Sequence, residues 1–291
     1  MRSRDDAGPS LRAIEAQLEP GDEVIAVDDG GTVSYPPWVR RLAVPGRIVP
    51  ELWAAGIAMA SNELVALTSA GLVVDGGWLA EARRLTERPE VAVGGAIEPG
   101  RRLRMVDWAL YFCRYSPYML PLVDADTLDV AADNAVYRAD VLADYRHLWY
   151  PEFSEPFLHR AMRADGHRLV VRPELRATLE PGAGAGDFSR QRYRHGLSYG
   201  QRRSSGSRPK ALVASLSAPV VPALMAARAG RRVWAKGRHR CRFVVAVPLV
   251  CWFYACWAAG EAVGRMAVAT GGPRISPPHS PDGQAPAEKS L

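Results

Sequence analysis

Cysteine is sparse in this 291-residue chain, with only Cys113, Cys241, Cys251 and Cys256. None forms a C-x-x-C pair or stands at metal-ligand spacing from a histidine, which excludes zinc-ribbon and disulfide-framework readings. They read as reduced packing residues in a cytoplasmic setting. The first nine residues are polar and charged, so no secretory signal is expected. Acidic residues are missing from one whole segment. Arg228, Arg231, Arg232, Lys236, Arg238, Arg240 and Arg242 follow one another without a carboxylate between them. Such a block suits phosphate groups.

Long uncharged apolar runs are also few. Phe243 to Ala259 is one, of 17 residues, at the lower limit for a membrane-spanning helix. Trp252, Tyr254 and Trp257 suit an interfacial position. The basic block just before it favours lipid as partner over nucleic acid. Ala211 to Ala229 is apolar too, but Pro219 and Pro222 favour an interfacial or re-entrant segment. The last 20 residues, rich in Pro and Gly, read as a disordered tail.

What is present is a large core and an alternating pattern. Hydrophobic residues make up 48% of the chain, so global disorder is excluded. Leu11, Ile14 and Leu18 have helical spacing behind Pro9 and Ser10. Then Asp22 to Gly31 (DEVIAVDDGG) reads as a short buried parallel strand ending in two carboxylates and two glycines. Ligands of open α/β sheets bind at such strand ends. Unpaired carboxylates are too costly for the core. Asp28 and Asp29 therefore either meet a ligand or line a solvated turn. An irregular connection is expected from Gly31 to Pro50. A helix follows over Leu52 to Ala60, a strand over Glu63 to Thr68, a helix through Arg88 and a strand over Val91 to Ile97. Arg102 to Arg114 reads as helix, Tyr115 to Asp126 as loop, and Ala131 to Arg138 as the way into another helix. A helix from about Phe157 and a strand over Arg168 to Val171 complete the alternation. The fold class is α/β, with a mostly parallel sheet covered on both faces. A helix feeding the strand at Val24 implies an earlier strand, so the first strand is apparently missing.

Four stretches in this order resemble the family 2 glycosyltransferases. DEVIAVDDGGT is similar to that family's strand and D-D-G-S-T signature. GIAMASNELVALTSAGLVVDGGWL is similar to its helix, strand and metal-binding D-x-D, followed by Trp-Leu. ADNAVYRADVL resembles its N-x-x-x-R stretch, and EFSEPFLHRAMRADGHRLV its E-D helix and G-x-x-L strand. The resemblance covers about Leu11 to Gly200 and implies a GT-A fold that binds a nucleotide-diphospho-sugar donor. By this resemblance Asp28 and Asp29 contact the nucleoside, and Asn134, Arg138 and His159 fall on the acceptor side. Glu155 is the catalytic base, with Glu152 as its competitor and Asp133 a distant third. His159 can equally be a surface residue.

Two departures follow. The D-x-D position holds Ser69, Ala70 and Gly71, which offer no carboxylate to magnesium or manganese. Asp75 is a weak metal candidate; otherwise Arg192, Arg194 or Arg138 neutralises the diphosphate by forked hydrogen bonds. Glu155-Pro156 stands where Glu-Asp is usual. Gln191 to His195 is similar to the family's Q-x-x-R-W, with His195 in the Trp position, though a solvated amphipathic helix fits equally. The expected activity is inverting, hexosyltransferase-like transfer to a lipid-linked or cell-envelope glycan, as in polysaccharide biosynthesis. The rival is a non-catalytic membrane-anchored subunit of the same fold. Expected domains are 1–205 for transfer, 206–242 as a basic interfacial segment, 243–270 in the membrane and 271–291 as tail. The expected location is the cytoplasmic face of the cell membrane.

Overall fold

The computed structural model describes residues 8–31, 33–182, 184–204, 215 and 219–271. The position of the expected missing strand, most of 205–218 and the tail from 272 lie outside these residues. Helix α1 (Gly8–Glu15) leads through the Pro20-Gly21 turn into β1 (Val24–Asp28). The stretch expected to be irregular contains β2 (Val39–Ala43), which pairs in parallel with β1 as a separate two-stranded sheet. Its Val-Arg-Arg-Leu-Ala sequence hides it, because two partly solvent-exposed arginines interrupt the apolar run. β1 itself is half-buried, and its most buried residue is Asp28.

After α2 (Val49–Met59) come β3 (Leu64–Thr68), β4 (Leu72–Val74) and α3 (Trp78–Arg83). Next are β5 (Ala92–Pro99), α4 (Met105–Tyr115), β6 (Ala125–Asp126) and β7 (Asn134–Arg138). Short helices α5 (Ala139–Asp144) and α6 (Arg146–Trp149) precede α7 (Glu155–Ala164) and β8 (Leu169–Leu179). Three longer helices close the described chain: α8 (Ala185–Arg203), α9 (Val221–Lys236) and α10 (Arg240–Ala269).

The class is α/β, a sheet flanked by helices, but the expectation of a mostly parallel sheet needs correction. The main sheet has the order β3-β7-β5-β8-β4, with β6 beside β8. Only β5 and β8 pair in parallel; the other four pairings are antiparallel. The cause lies in the connection from β5 to β7. It begins and ends on the same sheet edge, so β7 must run back, whereas a parallel neighbour needs a crossover. Within the expected entry into a helix at Ala131 to Arg138, residues Asn134–Arg138 form a strand, and α5 follows it directly at Ala139. Ala135, Val136 and Tyr137 are fully buried between two partner strands, which outweighs local helix propensity.

Side chains of β7 alternate between the two faces. Val136 joins a core with Trp78, Tyr111, Phe112, Leu175 and Phe253, covered by α3, α4, α9 and α10. Ala135 and Tyr137 join the opposite core with Trp53, Leu67, Phe153 and Leu158, beneath α2, α5, α6 and α7. The long apolar helix α10 thus shares one core with the sheet.

Helices α8 and α10 cross in backbone contact. A Cβ at Gly196 or Gly200 would run into the carbonyl oxygens of Trp257 or Glu261; one at Gly260 or Gly264 would meet those of Tyr193 or Leu197. Two G-x-x-x-G motifs therefore interlock, with Phe188 edge-on to Phe253 at 4.7 Å between centroids.

Candidate functional site

Glu155 is the first residue of α7, with Pro156 in the first turn, where its missing N–H costs nothing. The loop entering β7 lies across this helix end, and the Ala132 N–H donates to Glu155 Oε1 at 2.7 Å. Two more carboxylates come from the same loop. Asp133 accepts from Tyr115 Oη at 2.6 Å and pairs with Arg114. Asp129 pairs with Nδ1 of His159, whose Nε2 lies 3.0 Å from Tyr137 Oη. His159 is buried, so it stands behind the site and neither on the surface nor on an acceptor.

Burial pushes the Glu155 carboxyl up to about 7, reinforced by Asp129 and Asp133; the Ala132 N–H and His159 pull the other way. A helix N-terminus by itself favours the ionised carboxylate. Desolvation and two neighbouring carboxylates outweigh that dipole. A half-buried carboxylate that titrates near neutrality is matched to proton transfer. Asp129, Tyr115, Arg114 and Tyr137 escape sequence reading, because only the loop path and pairing register bring them to α7. The competitor Glu152 is used elsewhere, accepting from Ser198 Oγ at 2.6 Å and pairing with Arg202.

Asn134 is fully engaged in holding the sheet edge. Its Oδ1 accepts from Trp78 Nε1 at 2.7 Å, and its Nδ2 donates to Ala96 O at 3.0 Å and Leu175 O at 2.8 Å. Both of its N–H donors are used and the side chain is fully buried, so it presents nothing to an acceptor sugar. Arg138 lies at the other end of β7, opposite Leu64, and pairs with Asp140. It is four strand steps from Asn134, about 13 Å, so the structure does not bring it to the Glu155 cluster. The turn Ser69-Ala70-Gly71, by contrast, follows Thr68, which is in register with Asn134. Ser69 and Ala70 are accessible there, next to Asp133 along the edge.

At the end of β1, Asp28 is already saturated. Arg41 on β2 donates to both of its oxygens, at 2.8 and 3.0 Å, and the Gly30 N–H adds a third bond at 2.8 Å. Burial alone would raise this carboxyl, yet Arg41, Gly30 and Tyr35 hold it below its ordinary value. The expected ligand role for Asp28 is thereby replaced by a structural one. It clamps the loop that presents Asp29, which makes no ion pair among the described residues.

Helix α8 runs from the β2 side to the α7 side. Arg194 reaches Gly46 O at 3.4 Å, and Ser198, one turn on, holds Glu152. Just before Arg194 on the same helix, Arg192 feels the charges of Arg114 and Glu155; burial lowers its pKa. Its Nε has no hydrogen-bond partner, nor do the side-chain amide atoms of Gln191 or Nε2 of His195. Burial, with Arg192 and Arg114 nearby, pushes His195 well down, so it stays neutral. The unpartnered Arg192 Nε and Gln191 Nε2 are donors, and with the half-buried Arg192 cation they leave capacity for an anionic, oxygen-rich group.

Asp75 sits 3.8 Å from Arg176 on β8, and its carboxyl is raised by burial despite that arginine. The described residues hold no group of three or more His, Cys, Asp or Glu arranged for a metal ion. With no carboxylate in the Ser69 turn and Asp75 facing Arg176, the residues present there do not fit a divalent metal.

No family model matches this sequence, and no curated protein matches it. Among solved structures, a mannosyltransferase of Pyrobaculum calidifontis in complex with GDP-mannose and manganese aligns at 14% identity and TM-score 0.43. That alignment covers 91% of this chain and 71% of the other. The S. aureus protein TarS, residues 1–349 with UDP-GlcNAc, aligns at 13% identity and TM-score 0.46, over 93% and 90% of the two chains. At these values the likeness assigns no role to any residue here.

Proposed function

We propose that this chain transfers a sugar from a nucleoside-diphosphate donor to a hydroxyl of a lipid-linked or cell-envelope glycan, with inversion. One observation carries the reading: a half-buried glutamate at a helix N-terminus, pushed up to about 7 beside two further carboxylates and facing the charge of the half-buried Arg192 on α8. Glu155 takes the proton of the acceptor hydroxyl. The oxygen then attacks the anomeric carbon from the face opposite the diphosphate, and the bond from that carbon to the diphosphate breaks. Arg192 stabilises the charge that develops on the leaving group. Asp29 holds the nucleoside, while Asp28 and Arg41 fix its loop. Asp129, His159 and Tyr137 fix the wall behind Glu155.

The test is nucleoside-diphosphate release from a panel of UDP- and GDP-sugars, comparing the parent protein with Glu155→Gln. Release by the parent and loss in the variant supports the reading. Equal release by both overturns the assignment of the base. The second reading, a non-catalytic subunit, has its own support in the saturation of Asp28 by Arg41. It predicts donor binding without release.

A further inference from the structure

One helix among the described residues, α10, is long and apolar enough to cross a membrane, yet only 39% of its most apolar stretch is buried in the fold. Its outward side is a single stripe. Cys241, Val245, Pro248, Trp252, Ala259 and Val263 are all exposed and recur at helical intervals of three, four and seven. Of ten large apolar side chains exposed among the described residues, seven lie between Val220 and Val263, so the exposure is one patch and not scatter. The opposite side of α10 packs on α4 and α8 through Phe243, Val250, Phe253 and the two glycines.

The basic block flanks this patch and is only partly used by the fold. Arg238 pairs with Glu98 at 2.6 Å, and Lys236 donates to Pro117 O at 2.9 Å. Arg228, Arg231, Arg232, Arg240 and Arg242 are exposed and pair with no carboxylate among the described residues.

We infer that α9 and α10 form a monotopic docking face, on which α10 lies in the plane of an anionic bilayer and does not cross it. Crossing would carry α8 into the hydrocarbon, since the two helices touch backbone to backbone. That helix bears Arg190, Arg194, Arg202 and Arg203, which belong in water. A second copy of this chain is the poorer occupant, because a two-fold interface would bring both sets of arginines together. Anionic headgroups satisfy the arginines while the stripe enters the acyl boundary. The inference stands independently of the transfer reading, although such a face would bring the domain to a lipid-linked acceptor.

The test is co-sedimentation of the full-length protein with vesicles of phosphatidylcholine, alone or mixed with phosphatidylglycerol. Binding to the mixed vesicles should be at least about tenfold tighter, and should weaken on adding salt. Val245→Asp with Val263→Asp, both at exposed sites, should reduce binding at least about tenfold while the far-ultraviolet circular dichroism is unchanged. Protease added outside closed vesicles should leave no protected α10 fragment. Full-length protein that ignores vesicles, a double variant that binds like the parent, or a protected fragment would each overturn the inference. So would a dimer in solution that the double variant splits without any effect on vesicle binding.

Discussion

Glu155→Gln separates a chemical role from a packing role, because the two make opposite demands on stability. The amide oxygen can still accept the Ala132 N–H, so the loop contact survives the change. What disappears is a carboxylate whose ionisation the fold opposes. The ordinary value of 4.5 rises to about 7, chiefly by burial and then by Asp129 and Asp133. The stability contributed by the protonated group is therefore complete below pH 4.5 and is lost as pH rises through about 7. At 1.36 kcal/mol per unit, and allowing for partial solvent screening, that loss is about 2 kcal/mol by pH 9. Glutamine never ionises and does not suffer it. Urea unfolding at pH 5 should find the two proteins alike, and at pH 9 the variant should be the more stable. Its thermal midpoint there should be higher by roughly 3 °C. Above pH 7, where the parent's Glu155 is ionised, turnover should fall by about 10²–10⁴, and the gap should narrow towards pH 5 as the parent is itself protonated. A variant that is less stable at pH 9, or equally stable at both pH values, would refute the burial argument; undiminished turnover would refute the base.

Other expectations are independent of that one. Arg192→Ala should weaken nucleotide-sugar affinity by about 10–100-fold, the value of one or two charged hydrogen bonds, as read by calorimetric titration. The fold should persist, since Nε of Arg192 has no internal partner to lose. Gly260→Val should force α10 away from the Tyr193 backbone and cost at least about 1–3 kcal/mol, seen as a lower unfolding midpoint and faster proteolysis between α9 and α10.

Much of the scaffold was legible because its apolar segments carry their own boundaries. β1, β3, β5 and the helix starting at Glu155 follow from runs bounded by Gly, Pro and acidic turns. Strand direction was not legible, since β7 reverses through a connection that returns to its own edge. β2 stayed hidden because its two arginines break the apolar run; one of them, Arg41, turned Asp28 from a ligand contact into a clamp. Asn134 showed a motif position but not its three partners, which come from α3, β5 and β8. Asp129 and Tyr137 have no local signal at all. The apolar run of α10 was visible, but its division into a buried and an exposed side depends on the glycines it shares with α8.

The central claim is a nucleotide-sugar site that works without a divalent metal. It is tested most directly by measuring nucleoside-diphosphate release by the full-length protein across UDP- and GDP-sugars, with excess chelator and with manganese. The account predicts that at least one donor is turned over and that chelator leaves most of the activity in place. Activity abolished by chelator and restored by manganese, or no binding of any nucleotide sugar under either condition, would contradict it.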